Sequence, residues 1–296
     1  MSRQGQGHNI MANITHLHYE SISDLRAMPD MPWQIPANKA EAQNHLTSTG
    51  NRVSWHGMAG GAAACAKALI KGYPEGEKRI ETMRDEVMAQ LPKAVGIGRK
   101  LFKGDQGDSL DIHAVNRGDL SRAWTSRKRL IKVGKTTLRI ACDIGGNCGV
   151  DAERMAWRGV ACIALSEIMQ KAGYTCEIVA AFGVSGHILP NCGERMTVSI
   201  VVKSKGVSAD RGMLAASLCL SGFFRTLGFA AVCRAADEAG KEVSGGLGHY
   251  LQVEGILPYP PAMTQIIVPS TIGTEAEARE WVKATIKMLQ SLKGAQ

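Results

Sequence analysis

The sequence predicts an α/β protein: a mostly parallel sheet with helices on both faces, plus an N-terminal helical appendage. Three observations carry this. From residue 129 to 293, runs with strand character alternate with segments of helical periodicity, the order that produces a layered α/β structure. The run that enters Asp143, TLRIACDI, is apolar almost throughout, as a buried strand is. The segment from Asp151 to Ala172 is long enough for a crossover helix, so the strands on either side of it pair in parallel.

Composition fits that class. The chain has 296 residues, 45% apolar and 21% charged, enough for one large domain or a core domain with an appendage. The expected units are an irregular segment over 1–52, a helical pair with a Gly/Asp-rich connector over 53–120, and the α/β domain over 121–296. No apolar run reaches the roughly 18 residues of a membrane-spanning helix. The first twenty residues lack an apolar stretch followed by a small-residue cleavage site, so a cytoplasmic protein is expected. Eight cysteines occur with no C-x-x-C pair, which reads as free thiols in a reducing compartment. No Cys/His cluster has zinc-ligand spacing. A formal charge of +8 points to polyanionic partners.

In chain order, HLHYE reads as a short strand, followed by a short helix begun at Ser23 and a proline-punctuated loop. The first helix of the pair ends at Gly72, a good C-cap, and the second begins near Pro74 and Glu75, where proline is tolerated. Ala64, Ala68 and Leu69 make an apolar stripe on the first; Ile80, Met83, Val87 and Leu91 make one on the second. Residues 95–120 read as connecting structure. RKRLIKVGKTTLRIACDI reads as two strands around a turn at Val133-Gly134-Lys135.

Trp157, Val160, Ala161, Ala164, Leu165, Ile168 and Ala172 recur at helical spacing, and Gly173 ends that helix. YTCEIVAAFG and RMTVSIVVKSKG are the next strands. SADRGMLAASLCLSGFFRTLG is a helix with Ser208 as its cap, and FAAVCR is a short strand. TQIIVPS is the last strand, and Thr274 with Glu277 forms a capping box for the final helix.

Asp143 stands at the carboxyl end of a parallel strand, before a helix N-terminus, where α/β proteins gather ligands. The following GGNCG matches neither G-x-G-x-x-G nor the P-loop pattern. A carboxylate capping nearby backbone N–H groups explains the same residue.

A strand ending in Asp, a short loop, an apolar-faced helix and AGYTCEIVAAFG resemble the start of a von Willebrand factor A-type domain, over about residues 136–290. That resemblance implies a D-x-S-x-S site holding Mg²⁺. Asp143 matches, but Gly145 and Asn147 stand where the two serines belong, so Asp143 and Asn147 are expected to form a degenerate site without metal. Magnesium needs several oxygen ligands in near-octahedral array. No cofactor is expected, with Mg²⁺ the alternative. Blocks such as SWHGMAGGAAACAKALIKGYPEG, GDSLDIHAVNRGDLSRAW and FFRTLGFAAV resemble an uncharacterised family encoded by bacteriophages. This implies a mobile-element origin, in host cytoplasm or virion, and no activity.

SRAWTSRKRLIKVGKTTLR carries Arg122, Arg127, Lys128, Arg129, Lys132, Lys135 and Arg139 without an acid, with Trp124 among them. Cations beside an aromatic suit single-stranded nucleic acid, in which phosphates supply affinity and bases stack. A charged edge strand that repels other sheet edges is the alternative.

Four further readings have plain structural alternatives. His56 or His113 with Asp108 or Asp111 would make a general base, but turn-capping acids explain the same letters. His187 and Cys192 form a nominal Cys/His pair within a loop. Trp157 and Arg158 read as packing and salt-bridge residues, with a cation–π ligand cage the alternative, and the Gly-rich 239–248 as a flap. The leading expectation is a nonenzymatic protein that binds itself or a protein partner, with the helical pair over 53–92 supplying the contacts. The alternatives are a single-stranded nucleic-acid-binding replication or packaging factor, and a metal-assisted hydrolase or transferase using Asp143 and the acids of 105–113.

Overall fold

The computed structural model describes residues 14–22, 53–90, 99–104, 109–110, 115, 118, 124–129, 137–147, 149–184, 195–207, 209–231, 249–251 and 263–294. In chain order these form β1 (Ile14–Tyr19), α1 (Val53–His56), α2 (Gly61–Lys71), α3 (Pro74–Gln90), β2 (Arg99–Gly104), β3 (Ser109–Leu110) and β4 (Trp124–Arg129). There follow β5 (Thr137–Asp143), α4 (Ala152–Lys171), β6 (Thr175–Val184), β7 (Arg195–Lys203), α5 (Arg211–Leu218), α6 (Ser221–Phe223), β8 (Met263–Val268) and α7 (Glu275–Gly294).

The fold is α/β. Five strands form one sheet in the order β1-β7-β6-β5-β8. β5 pairs in parallel with β6 and β8, β1 in parallel with β7, and only β6 and β7 run antiparallel. β5 is an interior strand between β6 and β8, and the burial of Leu138 through Asp143 matches its apolar spelling. β1 is the short strand expected within the otherwise irregular 1–52 segment, and it supplies an edge strand of this sheet.

Alternation of side chains divides the sheet into two faces. Leu138, Ile140, Cys142, Ile178, Ala180, Phe182, Val198 and Ile200 join the main core with the helices. Ala141, Val179, Ala181, Val201 and Leu251 make a smaller cluster on the opposite face. α4 and α5 lie on the first face, and Phe224 of the segment after α6 packs there against Phe182 of β6.

α4 begins at Asp151, whose carboxylate accepts a hydrogen bond from the Glu153 N–H at 2.9 Å, and stops before Gly173 at φ 97°. Fourteen of its 20 residues are buried, so the helix is enclosed on all sides, where periodicity showed one apolar face. The sheet lies on one side, and α3, α5 and α7 lie on the others. Gly159 allows the closest approach: a Cβ there would sit 2.3 Å from the Leu218 carbonyl oxygen.

The helical pair forms as expected. Gly72 caps α2 at φ 87°, its N–H donating to Ala68 O, and Pro74 opens α3. Ala68, Leu69, Ile80, Met83 and Val87 are buried in the same core as the sheet; Leu91 lies outside the described residues. The stripes expected to make assembly contacts are thus covered within the chain. Ion pairs reinforce the packing, with Arg84 of α3 and Arg211 of α5 both on Glu167 of α4.

Three local readings are corrected. β4 does not form a hairpin with β5. It pairs antiparallel with β2 and β3 in a separate three-stranded sheet, because both edges of β5 are taken by β6 and β8. The helix after β7 is capped by Asp210, which accepts from the Met213 N–H at 3.0 Å; Ser208 lies outside the described residues. That helix also breaks at Cys219 and resumes as α6 and a π-helical turn over Phe224–Gly228. Phe229, Ala230 and Ala231 continue it as helix, not as a strand, while Phe229 packs edge-to-face on Phe224. At the last helix the capping box is present: the Glu277 N–H donates to Thr274 Oγ1 at 3.3 Å, and Glu277 Oε2 accepts from the Thr274 N–H at 3.0 Å.

Candidate functional site

The carboxyl ends of β5 and β6 are the first place to look for chemistry, and main chain closes them. Asp143 is 2% exposed. Its Oδ1 accepts from the Gly145 N–H at 2.9 Å and its Oδ2 from the Leu251 N–H at 3.0 Å. Burial pushes its carboxyl up to about 6, a rise that those two N–H groups and the nearby Arg158 charge limit. His249 bridges to Gly183, so residues 249–251 lie across the strand ends. Only glycine fits beneath them: a Cβ on Gly145 would stand 2.0 Å from the His249 carbonyl oxygen.

Two buried guanidinium groups hold the loop after Asp143. Arg158, on α4, donates to Gly145 O at 2.7 Å and to Ile272 O at 3.2 Å, and lies 5.2 Å from the centre of the Tyr250 ring. This corrects the salt-bridge expectation: its direct partners are carbonyls and a ring. Arg225, aimed by the π-helical turn, donates to Trp55 O at 2.8 Å and Val150 O at 2.6 Å, with its guanidinium 4.1 Å from the Trp55 ring centre. Asn147, the other residue of the expected degenerate pair, is exposed and caps its own loop: its Oδ1 accepts from the Gly149 N–H at 3.0 Å. Among the described residues, no group of three or more His, Cys, Asp or Glu side chains is placed to hold a metal ion.

A second region is a cleft of about 550 Å³ between the α1–α2 loop and the first turns of α3 and α4. Ser54, Tyr73, Glu75, Arg79, Asp151 and Glu153 supply its polar lining. Arg79 donates to both Glu153 oxygens at 2.8 and 2.9 Å and to Glu75 at 2.9 Å, and lies 5.3 Å from the Trp157 ring centre. Trp157 thus receives a cation from its own chain.

The third region is the small sheet. β4 contains Trp124, Arg127, Lys128 and Arg129, while Arg122, Lys132 and Lys135 lie outside the described residues. Its partner β2, RKLFKG, adds Arg99, Lys100 and Lys103. The register sets Arg99 opposite Arg129 and Lys100 opposite Lys128. Reading 95–120 as connecting structure missed these three cations; the signal was a basic segment with apolar residues between its charges.

His56 is buried, with its carbonyl accepting from Cys65 Sγ, and burial pushes the Cys65 thiol up to about 12. His113, Asp108, Asp111, His187, Cys192 and the flap over 239–248 lie outside the described residues. Cys65, Cys142, Cys162, Cys176 and Cys219 are free and buried.

A family described as "Domain of unknown function (DUF7192)" matches residues 5–293. No curated protein and no solved structure matches the chain.

Proposed function

The chain belongs to the DUF7192 family, and on that premise we propose that it is a binding protein that holds single-stranded nucleic acid on its small basic sheet, with the α/β body as scaffold. The register of β2 and β4 carries this reading. Like charges directly opposite on neighbouring strands destabilise a pair, and here one such pair, 99 with 129, falls on one face of the sheet and another, 100 with 128, on the other. A polyanion laid over either face reverses the sign of that term there. Six cationic positions fall on two strands of six residues, each roughly 20 Å long. Positions 102 and 124, Phe and Trp, share a face with 100 and 128, which suits bases that stack while phosphates meet cations. The net charge of +8 favours the same class of partner.

The metal-assisted alternative has less support. Both Asp143 oxygens accept main-chain N–H groups, and the Arg158 cation lies beside them. Self-association through the α2 and α3 stripes has less support as well, since both are covered.

Fluorescence polarisation of a labelled oligothymidine against a salt series tests the proposal. Replacing Arg127, Lys128 and Arg129 together by Ala is expected to weaken binding at least tenfold at low salt and to flatten the log–log salt slope by about 2. Binding that ignores salt, or a triple variant with wild-type affinity, overturns the reading.

A further inference from the structure

The two faces of the small basic sheet differ in chemistry, and the difference sharpens the nucleic-acid reading on which this inference rests. Alternation along the strands puts positions 99, 101, 103, 125, 127 and 129 on one face and their neighbours on the other. The first face holds four cations, Arg99, Lys103, Arg127 and Arg129, and no aromatic residue. The second holds Lys100 opposite Lys128 at one end, with Phe102 and Trp124 toward the other. We propose that only this second face reads bases, and that its unit is a dinucleotide step whose two bases are pulled apart, one stacked on Phe102 and the next on Trp124.

The register sets the spacing. Phe102 is directly opposite Ser126 and Trp124 directly opposite Gly104, so the two aromatic positions are diagonal neighbours, about 7–8 Å apart. Successive bases along one strand of a duplex are only about 3.4 Å apart. Two bases held at the wider spacing have lost their mutual stacking, a state open to an unpaired strand and closed to a paired one. Each aromatic position also faces a small residue across the ladder, so large and small alternate in a two-by-two block. Leu110 of β3 is level with Trp124 on its other side. Lys128 stands four positions from Trp124, about 13 Å along the strand, where the backbone leaves the stacked step. The opposite face offers phosphates attraction alone.

Competition against labelled oligothymidine at one low salt concentration, with the full-length protein, tests this. The competitors are a 12-nucleotide oligothymidine and an abasic chain with the same number of phosphates. Oligothymidine is expected to compete at least tenfold better, since each stacked base adds roughly fivefold or more. Phe102→Leu with Trp124→Leu is expected to erase that advantage while the abasic chain binds as before, which a misfolded sheet would not allow. Arg99→Gln with Arg129→Gln, on the other face, is expected to weaken both chains in proportion. Salt-dependent binding with equal affinity for the two chains overturns the inference and leaves nucleic-acid binding standing, with Phe102 and Trp124 serving packing alone. An advantage that survives in the double Leu variant, or one that vanishes in the double Gln variant, overturns it too. Absence of salt-dependent binding to either chain removes the parent reading, and this one with it.

Discussion

Asp143 shows how much a single buried carboxylate decides. Its carboxyl is raised from 3.8 to about 6, chiefly by burial. The folded chain therefore takes up this proton more readily than the unfolded chain. The stability it contributes is complete below the unfolded value and is lost as pH rises through 6. Two units correspond to an upper bound of about 3 kcal/mol. In Asp143→Asn that dependence vanishes, while the amide NH₂ must face the N–H of either Gly145 or Leu251, at a cost of about 1–3 kcal/mol. Urea midpoints between about pH 4 and 6 check this: wild type is expected to lose stability that the variant does not. Parallel curves for the two proteins would show that this carboxylate does not carry the pH dependence.

α4 makes the corresponding point for an element. In an exposed helix, Gly→Ala gains about 1 kcal/mol. At Gly159 the sign inverts, because the new methyl meets Leu218 O at 2.3 Å and Cys219 N at 2.8 Å, both backbone atoms. Gly159→Ala is expected to cost about 1–3 kcal/mol in thermal melts; a stabilised variant would mean that the helices separate easily there. The ends of this helix were legible in Asp151 and Gly173, and so was the capping box at Thr274 and Glu277, because caps are local chemistry. Its enclosure was not legible, because Gly159, Ala152, Ala156 and Ser166 are small letters that read as neutral, yet each lies on a buried face. The same limit explains β4. The letters VGK spell a turn, but long-range pairing decided which sheet the strand joined. Arg158 was read as a salt-bridge residue and Arg225 was not singled out, since their carbonyl partners at Ile272 and Trp55 lie 114 and 170 residues away.

Across the whole molecule, one core runs from the sheet through α4 to α3, and its cooperativity can be measured. Ile80→Ala empties a fully buried site on α3 and is expected to cost about 2–5 kcal/mol, shifting near- and far-ultraviolet dichroism transitions together. Two separated transitions would make the helical layer its own unit. The fold class was readable because alternation and a buried interior strand are whole-chain patterns, whereas the candidate ligand surfaces rest on pairings that no local stretch spells out. Residues 249–251 carry one more consequence. Two hydrogen bonds with Gly183 and one with Asp143 fasten them over the sheet's carboxyl edge. In many sheets of this kind that edge is an open berth. Here it is a bolted hatch, and a solute bound for that acid has to wait until three fastenings release.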